Sequence, residues 1–246
     1  MGVLYNSRIV TDGLVLCVDA GDKMSYPGAG TTWTDLSKQG NDGTLTNGPT
    51  FDSANGGSIV FDASDDYVNL GTASSLFPGP SITTTVACWI KVPTNVQNQV
   101  PIGNQYTNGE RLYIGVGPGN YWDVGFGSYA WNGGYSGSRV TAIANKWTFL
   151  VLSVNSGSAK FYVDAQETIT KTTDTSVTLG GFWSIGAFFG NGSINSTYTK
   201  ACNIALTQIY NRALSAEEIK QNYNTTKGRV GLRYILMENY YNGHII

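Results

Sequence analysis

Apolar positions along this chain come in short runs, separated by polar stretches rich in glycine. LVLCVDA at 14–20 is nearly continuous in apolar residues, as for a central strand. SIVFDASDDYVNLG at 58–71 reads as strand, turn, strand, with the turn around Ala63–Asp65. TTTVACWIKVP at 83–93 is β-branched and aromatic, and Pro93 closes it because proline has no amide to give a ladder. RLYIGVG at 111–117 and YWDVGFG at 121–127 alternate large side chains with glycine, a pattern of bulges or close backbone approach.

The clearest hairpin spans 146–172. Trp147–Val154 is one strand, Asn155–Ser158 the turn and Lys160–Val163 the return. Asp164-Ala165 then makes the next turn, although glycine after the aspartate is the commoner choice. CNIALTQIYN at 202–211 alternates, which predicts Ile204, Leu206 and Gln208 on one face and Ala205, Thr207 and Ile209 on the other. One helix follows, near 215–224. Ser215 and Glu218 have capping-box spacing, Ile219 and Tyr223 share a face, and Gly228 is the expected stop. This pattern predicts an all-β fold in one domain over 1–231. The remaining segment, LRYILMENYYNGHII at 232–246, is aromatic and apolar where chain ends are normally polar. Tyr234, Ile235, Leu236, Tyr240 and Tyr241 mark it as a docking tail, for a neighbouring subunit or for the domain's own surface.

Composition narrows the partners. Charged residues are 13% of 246 and the net charge is −2, so the basic patch that nucleic acid requires is missing. No apolar run approaches the ~18 residues that span a bilayer, and the start lacks the pattern of a secretory signal. Cys17, Cys88 and Cys202 each sit in an apolar run without short spacings, which predicts buried reduced thiols and folding in a reducing cytosol.

Candidate chemistry is sparse. The glutamates fall in loops, the helix and the tail, and the lone histidine is His244, so a general acid and base pair is not visible. The chain is expected not to be an enzyme. Between Trp33 and Phe51 runs WTDLSKQGNDGTLTNGPTF. Trp33 should pack, Thr44-Leu45 should form a short strand, and Gly40, Gly43 and Gly48-Pro49 should shape consecutive turns. Asp19, Asp35, Asp42, Asp62 and Asp65 are the carboxylates near polar turns, with Asp66 beside them. Calcium takes ~6–8 oxygens, so these are the candidate ligands for it, and turn capping is the competing reading. Sugar rings stack on aromatics and bond to amides and hydroxyls. Trp122, Tyr129, Trp131, Tyr135 and Trp183 lie among glycines and asparagines and are the candidate carbohydrate contacts, core filling being the alternative.

The order of landmarks resembles a known family. GLVLCVDAG, WTDLSKQGNDGTLTN, GSIVFDASDDYVNLG, VACWIKV, NKWTFLVLSV, KFYVDAQ, FWSIGAFF and NIALTQIYNRALSAEEIKQNYN succeed one another as in a concanavalin A-like jelly roll of the laminin G / pentraxin type. The resemblance implies two antiparallel sheets packed face to face, a β-sandwich. Glucanase relatives carry Glu-x-Asp-x-Glu on one strand, and this chain does not. The early block VTDGLVLCVDAGDKMSYPGAGTTWTDLS is similar to a variant found in tailed-phage proteins. That implies a virion structural protein, a capsid decoration or tail-fibre subunit assembled in host cytoplasm and displayed on the virion surface. Its expected partners are other virion subunits, a second or third copy of itself, and host polysaccharide. The alternative is a dedicated carbohydrate-binding module, calcium-dependent or not, and the third reading is a glycoside hydrolase.

Overall fold

A computed structural model describes residues 8–72, 76–77, 83–93, 99–105, 111–127, 136–137, 139–155, 157–172, 181–190, 193–195, 198–199 and 201–231. Strands are numbered β1 to β18 in chain order. One sheet runs β11 (Ser136–Gly137), β14 (Gln166–Thr172), β13 (Ser158–Val163), β12 (Thr148–Asn155), β7 (Thr84–Lys91), β18 (Cys202–Tyr210), β5 (Ser58–Phe61) and β4 (Thr50–Asp52). β1 (Leu14–Asp19) joins it by pairing with the second half of β18. The other sheet runs β10 (Trp122–Gly127), β9 (Arg111–Val116), β8 (Gln99–Gln105), β15 (Phe182–Ile185), β6 (Tyr67–Thr72), β3 (Gly43–Thr46) and β2 (Thr32–Trp33). Two short strands, β16 (Phe189–Gly190) and β17 (Ser193–Ile194), lie at its margin. Among the described residues, pairings are antiparallel apart from one parallel contact between β16 and β8.

The sheets close over a core that includes Leu16, Trp33, Val68, Ile90, Ile114, Trp122, Leu150, Phe161 and Trp183. A second apolar layer lies outside the first sheet, where Trp89, Phe149, Tyr210 and Ile219 pack under the helix. Hydrophobic burial on both faces explains why β7 and β12 read as apolar runs rather than as alternations.

The expected faces of β18 are corrected at its middle. The register against β7 shifts between Ile204 and Leu206, which inserts Ala205 as an extra residue. Ile204 and Ile209 therefore face the inter-sheet core, while Ala205 and Leu206 both face the helix layer. A strict period of two cannot describe a strand that contains a bulge.

The helix, α1 (Ala216–Thr226), starts as expected, with both halves of the Ser215–Glu218 capping box in place. Glu218 also binds the guanidinium of Arg212, at 2.6 and 2.9 Å. Tyr223 stacks on Trp89, whose indole N–H donates to Thr226 Oγ1 at 2.8 Å. The chain does not stop at Gly228. Helical turns continue as a 3-10 turn over Lys227–Val230 and are capped at Gly231, whose φ of 78° is the left-handed conformation glycine adopts cheaply. The β13–β14 turn places both Asp164 (φ 51°) and Ala165 (φ 64°) in that region. Asp164 is held there by the amide of Phe149, which donates to its Oδ1.

The three cysteines are buried and free. Burial, with Asp19 and Asp35 adding to it, pushes the Cys17 thiol up to about 12, and burial raises Cys88 and Cys202 further. Thiols so far from ionising are packing groups rather than nucleophiles.

Candidate functional site

The polar stretch after Trp33 closes a sheet edge. Among the described residues β1 pairs with a strand on one side only, with β18. On its other side the backbone needs partners, and the 34–42 loop supplies them. Asp35 Oδ1 accepts the amides of Cys17 and Ser37, each at 2.8 Å. Asp35 Oδ2 accepts the Ser37 hydroxyl at 2.6 Å and the Asn41 amide at 3.1 Å. Asn41 Nδ2 donates to the carbonyl of Val15, and the Leu36 amide donates to that of Cys17. Asp42 Oδ1 accepts the Asp35 amide. An unpaired strand edge is a template for wrong pairing, and side chains that mimic a neighbouring strand remove it. Gly43 is also not a turn residue. It sits in β3 facing inward, where a Cβ would come within 2.5 Å of Val68.

Three of the five expected metal ligands are thus engaged by the fold itself. Asp35 and Asp42 serve the backbone. Asp19 accepts the amides of Gly21 and Asp22 and forms an ion pair with Arg229, which ties the end of the 3-10 turn to the end of β1. Burial raises the Asp19 pKa and Arg229 opposes that shift.

The other two expected ligands belong to a different arrangement. Asp62, Asp65 and Asp66 in the β5–β6 turn each place a carboxylate oxygen within 4.8 Å of the others. Asp62 and Asp65 are exposed, while Asp66 is only 4% exposed. Ser64 donates its amide to Asp62 Oδ1, and Asp62 donates its own amide to Asp66 Oδ2. Asn47 reaches across from the β3–β4 turn to the Asp65 carbonyl at 3.0 Å. Burial raises the Asp66 pKa, and the carboxylates of Asp62 and Asp65 add to it. Three crowded hard oxygens can accept hydroxyl protons or share a divalent cation, which would need further oxygens from carbonyls and water.

Register builds the surface beside this turn. Pairings run Thr32–Thr44, Thr44–Asn69, Asn69–Ser184, Ser184–Gly103, Gly103–Tyr113 and Tyr113–Gly125, one row across the outer face of the second sheet. Its two halves differ. At the β8–β10 end the row is buried: Tyr113 lies over Gly125, where a Cβ would meet its ring at 1.9 Å, and Phe188 meets it edge-on. At the β2–β6 end Thr32 and Thr44 are exposed and Asn69 is half-buried. In the next row Thr46 pairs with Tyr67, which directly follows Asp66. Hydroxyls, an amide and a phenol therefore form a strip that ends at the carboxylate trio.

The expected carbohydrate contacts fare differently. Trp122 (2% exposed) and Trp183 (0%) are core residues and so are corrected. Alternation along β15 turns Trp183 inward against Phe77 and leaves its neighbour Phe182 46% exposed. Tyr129, Trp131 and Tyr135 lie outside the described residues, as do Tyr234, Ile235, Leu236, Tyr240 and Tyr241. Sequence reasoning does not single out Tyr67, Asn69 and Thr44 as contacts. The signal is present in YVNL, where Tyr67 and Asn69 alternate with the buried Val68 and Leu70.

Comparison with solved structures returns the same fold. The Trypanosoma rangeli sialidase, solved in complex with sialic acid, aligns at a TM-score of 0.62 and 14% identity, covering 90% of this chain and 34% of that one. The binding domain of Paraclostridial Mosquitocidal Protein 1 aligns at 0.62 and 15% identity, covering 87% and 52%. Domain 4 of AbnA, a GH43 extracellular arabinanase from Geobacillus stearothermophilus, in complex with arabinotriose, aligns at 0.58 and 15% identity, covering 85% and 98%. The chain thus spans about a third and about half of the first two structures. No curated protein matches it by sequence. A model of the concanavalin A-like lectin/glucanases superfamily matches residues 62–220, well over half of the chain, and the chain belongs to that superfamily.

Proposed function

We propose that this chain is a non-catalytic carbohydrate-recognition domain whose contact surface is the strip of Thr32, Thr44, Asn69, Thr46 and Tyr67, bounded by Asp62, Asp65 and Asp66. The observation that carries this reading is the strip itself. Sheet register brings hydroxyls, an amide, a phenol ring and carboxylates onto one face, the set of groups a sugar's hydroxyls and C–H face require. Solved structures of similar fold that hold arabinotriose or sialic acid support it. The trio suits binding better than hydrolysis, because its carboxylates are held by turn bonds on one short loop rather than facing each other across a cleft. A glycan array with wild type, Tyr67→Ala and Asn69→Ala tests the proposal. Each variant should weaken the leading hits about tenfold, the scale of one stacking or hydrogen-bonding contact. No hit on the array, or hits that both variants retain, would rule the strip out as the contact surface. Repeating the array in EDTA separates direct carboxylate–hydroxyl contacts from a cation bridge.

The apolar tail and the likeness of residues 10–37 to tailed-phage proteins favour one deployment of such a domain, as an oligomeric surface subunit of a virion. Light scattering on the full chain and on a chain lacking 232–246 tests it. A monomer in both cases removes the assembly role.

A further inference from the structure

The first sheet carries a hollow on its outward face, away from the strip. It lies between the β12–β13 hairpin and the start of α1, is half open to solvent and offers roughly 370 Å³. That is the size of a small-molecule site rather than a packing defect. Its most buried lining residues are Tyr162, Leu214 and Ser153, at 3%, 4% and 5% exposed. Its polar wall is Tyr162 and Lys160, and both bind the same carboxylate. Tyr162 Oη donates to Glu167 Oε2 at 3.2 Å, and Lys160 Nζ does so at 3.0 Å. Thr170 Oγ1 fixes the other carboxylate oxygen at 2.7 Å. Phenol, ammonium and carboxylate are thereby held as one array.

The charges decide the ligand class. Lys160 and Glu167 neutralise each other, so the wall selects for neither sign. Glu217 and Glu218 occupy the first turn of α1, and their negative charge discourages an anion at the helix start. Burial, with the Glu167 carboxylate adding to it, pushes the Tyr162 phenol up to about 12, so it stays neutral and remains a hydrogen-bonding group. Leu214, Ala216 and the Tyr162 ring add carbon surface, and Asn155 and Ser158 add an amide and a hydroxyl. We infer that this hollow is a second binding site, for a neutral mono- or disaccharide unit, on the helix-bearing face of the domain. Two sites on different sheets would make one domain bivalent toward a long polysaccharide, gaining avidity without a second copy.

The test is a titration of the full chain with glucose, galactose, arabinose and maltose, followed by amide NMR. The amides of Ser153, Ser158, Lys160 and Ala216 should shift saturably with at least one of these sugars. Ala216→Trp, which fills the hollow, should weaken that response about tenfold or more. Asn69→Trp on the strip should leave it unchanged, so that failure of this site and failure of the strip are distinguishable. If Ala216→Trp loses its spectral dispersion, Lys160→Met interrogates the same wall and should weaken the response likewise. Three results would overturn the inference: no sugar moving these amides at millimolar concentrations, a folded filling variant that binds like wild type, or phosphate or acetate moving them when no sugar does.

Discussion

Two acidic turns in this molecule look alike as sequence and do opposite work. In DLSKQGND the carboxylate of Asp35 receives four donors and lies 7% exposed against β1. In DASDD three carboxylates crowd within 4.8 Å, two of them exposed, and the described bonds engage them only with their own turn. The first turn uses its charge to hold the fold, since charge-assisted bonds to backbone amides are strong when shielded from water. The second keeps charge at the surface, against mutual repulsion. A carboxylate near a turn is thus a ligand candidate only when the backbone has not already taken it.

The largest test of this contrast is Asp35→Ala. It orphans the buried Cys17 amide and removes three further bonds, so it should cost roughly 3 kcal/mol or more in chemical denaturation. Loss of the plug also uncovers the β1 edge, so the variant should aggregate at concentrations the wild type tolerates. A loss under about 1 kcal/mol would mean that water replaces the carboxylate freely and that the edge is not closed by it. The double variant Asp62→Asn/Asp65→Asn belongs at the other extreme. Both residues are exposed in a like-charged group, so the change should leave stability within about 0.5 kcal/mol of wild type or raise it.

Much of this difference was out of reach of the sequence for a definite reason. Local pattern was legible: the capping box, the β12–β13 hairpin, the strand around Thr44 and the packing of Trp33 all depend on neighbours a few residues away. Whether Asp35 is free depends on Cys17, which pairing brings beside it across a turn of unknown course. Trp183 and Phe182 are adjacent in sequence, and only sheet register decides which faces the core. The bulge at Ala205 breaks the alternation of β18 without any glycine to announce it. The polar strip shows the same limit from the other side. Each of its residues is ordinary alone, and it exists only because separate strands align.

Asp66 sharpens the comparison by titration, with the smallest effect. Its folded-state pKa is raised, first by burial and then by its two neighbours. For an acid so shifted, the protonated form is the one the fold favours. Its contribution is therefore present at low pH and is lost as pH rises through the raised value. Asp66→Asn keeps an oxygen for the Asp62 amide and cannot ionise. The variant and the wild type should match in stability below the ordinary aspartate range. Above it the variant should become the more stable, as the wild-type carboxyl ionises in the fold that disfavours its charge. Equal stabilities across the whole range would mean that the trio's repulsion is already relieved, and that the fold holds its carboxylates no less firmly than it holds Asp35. A wild type that gains on the variant as pH rises would show the buried carboxylate to be stabilising, and would erase the distinction between the two turns.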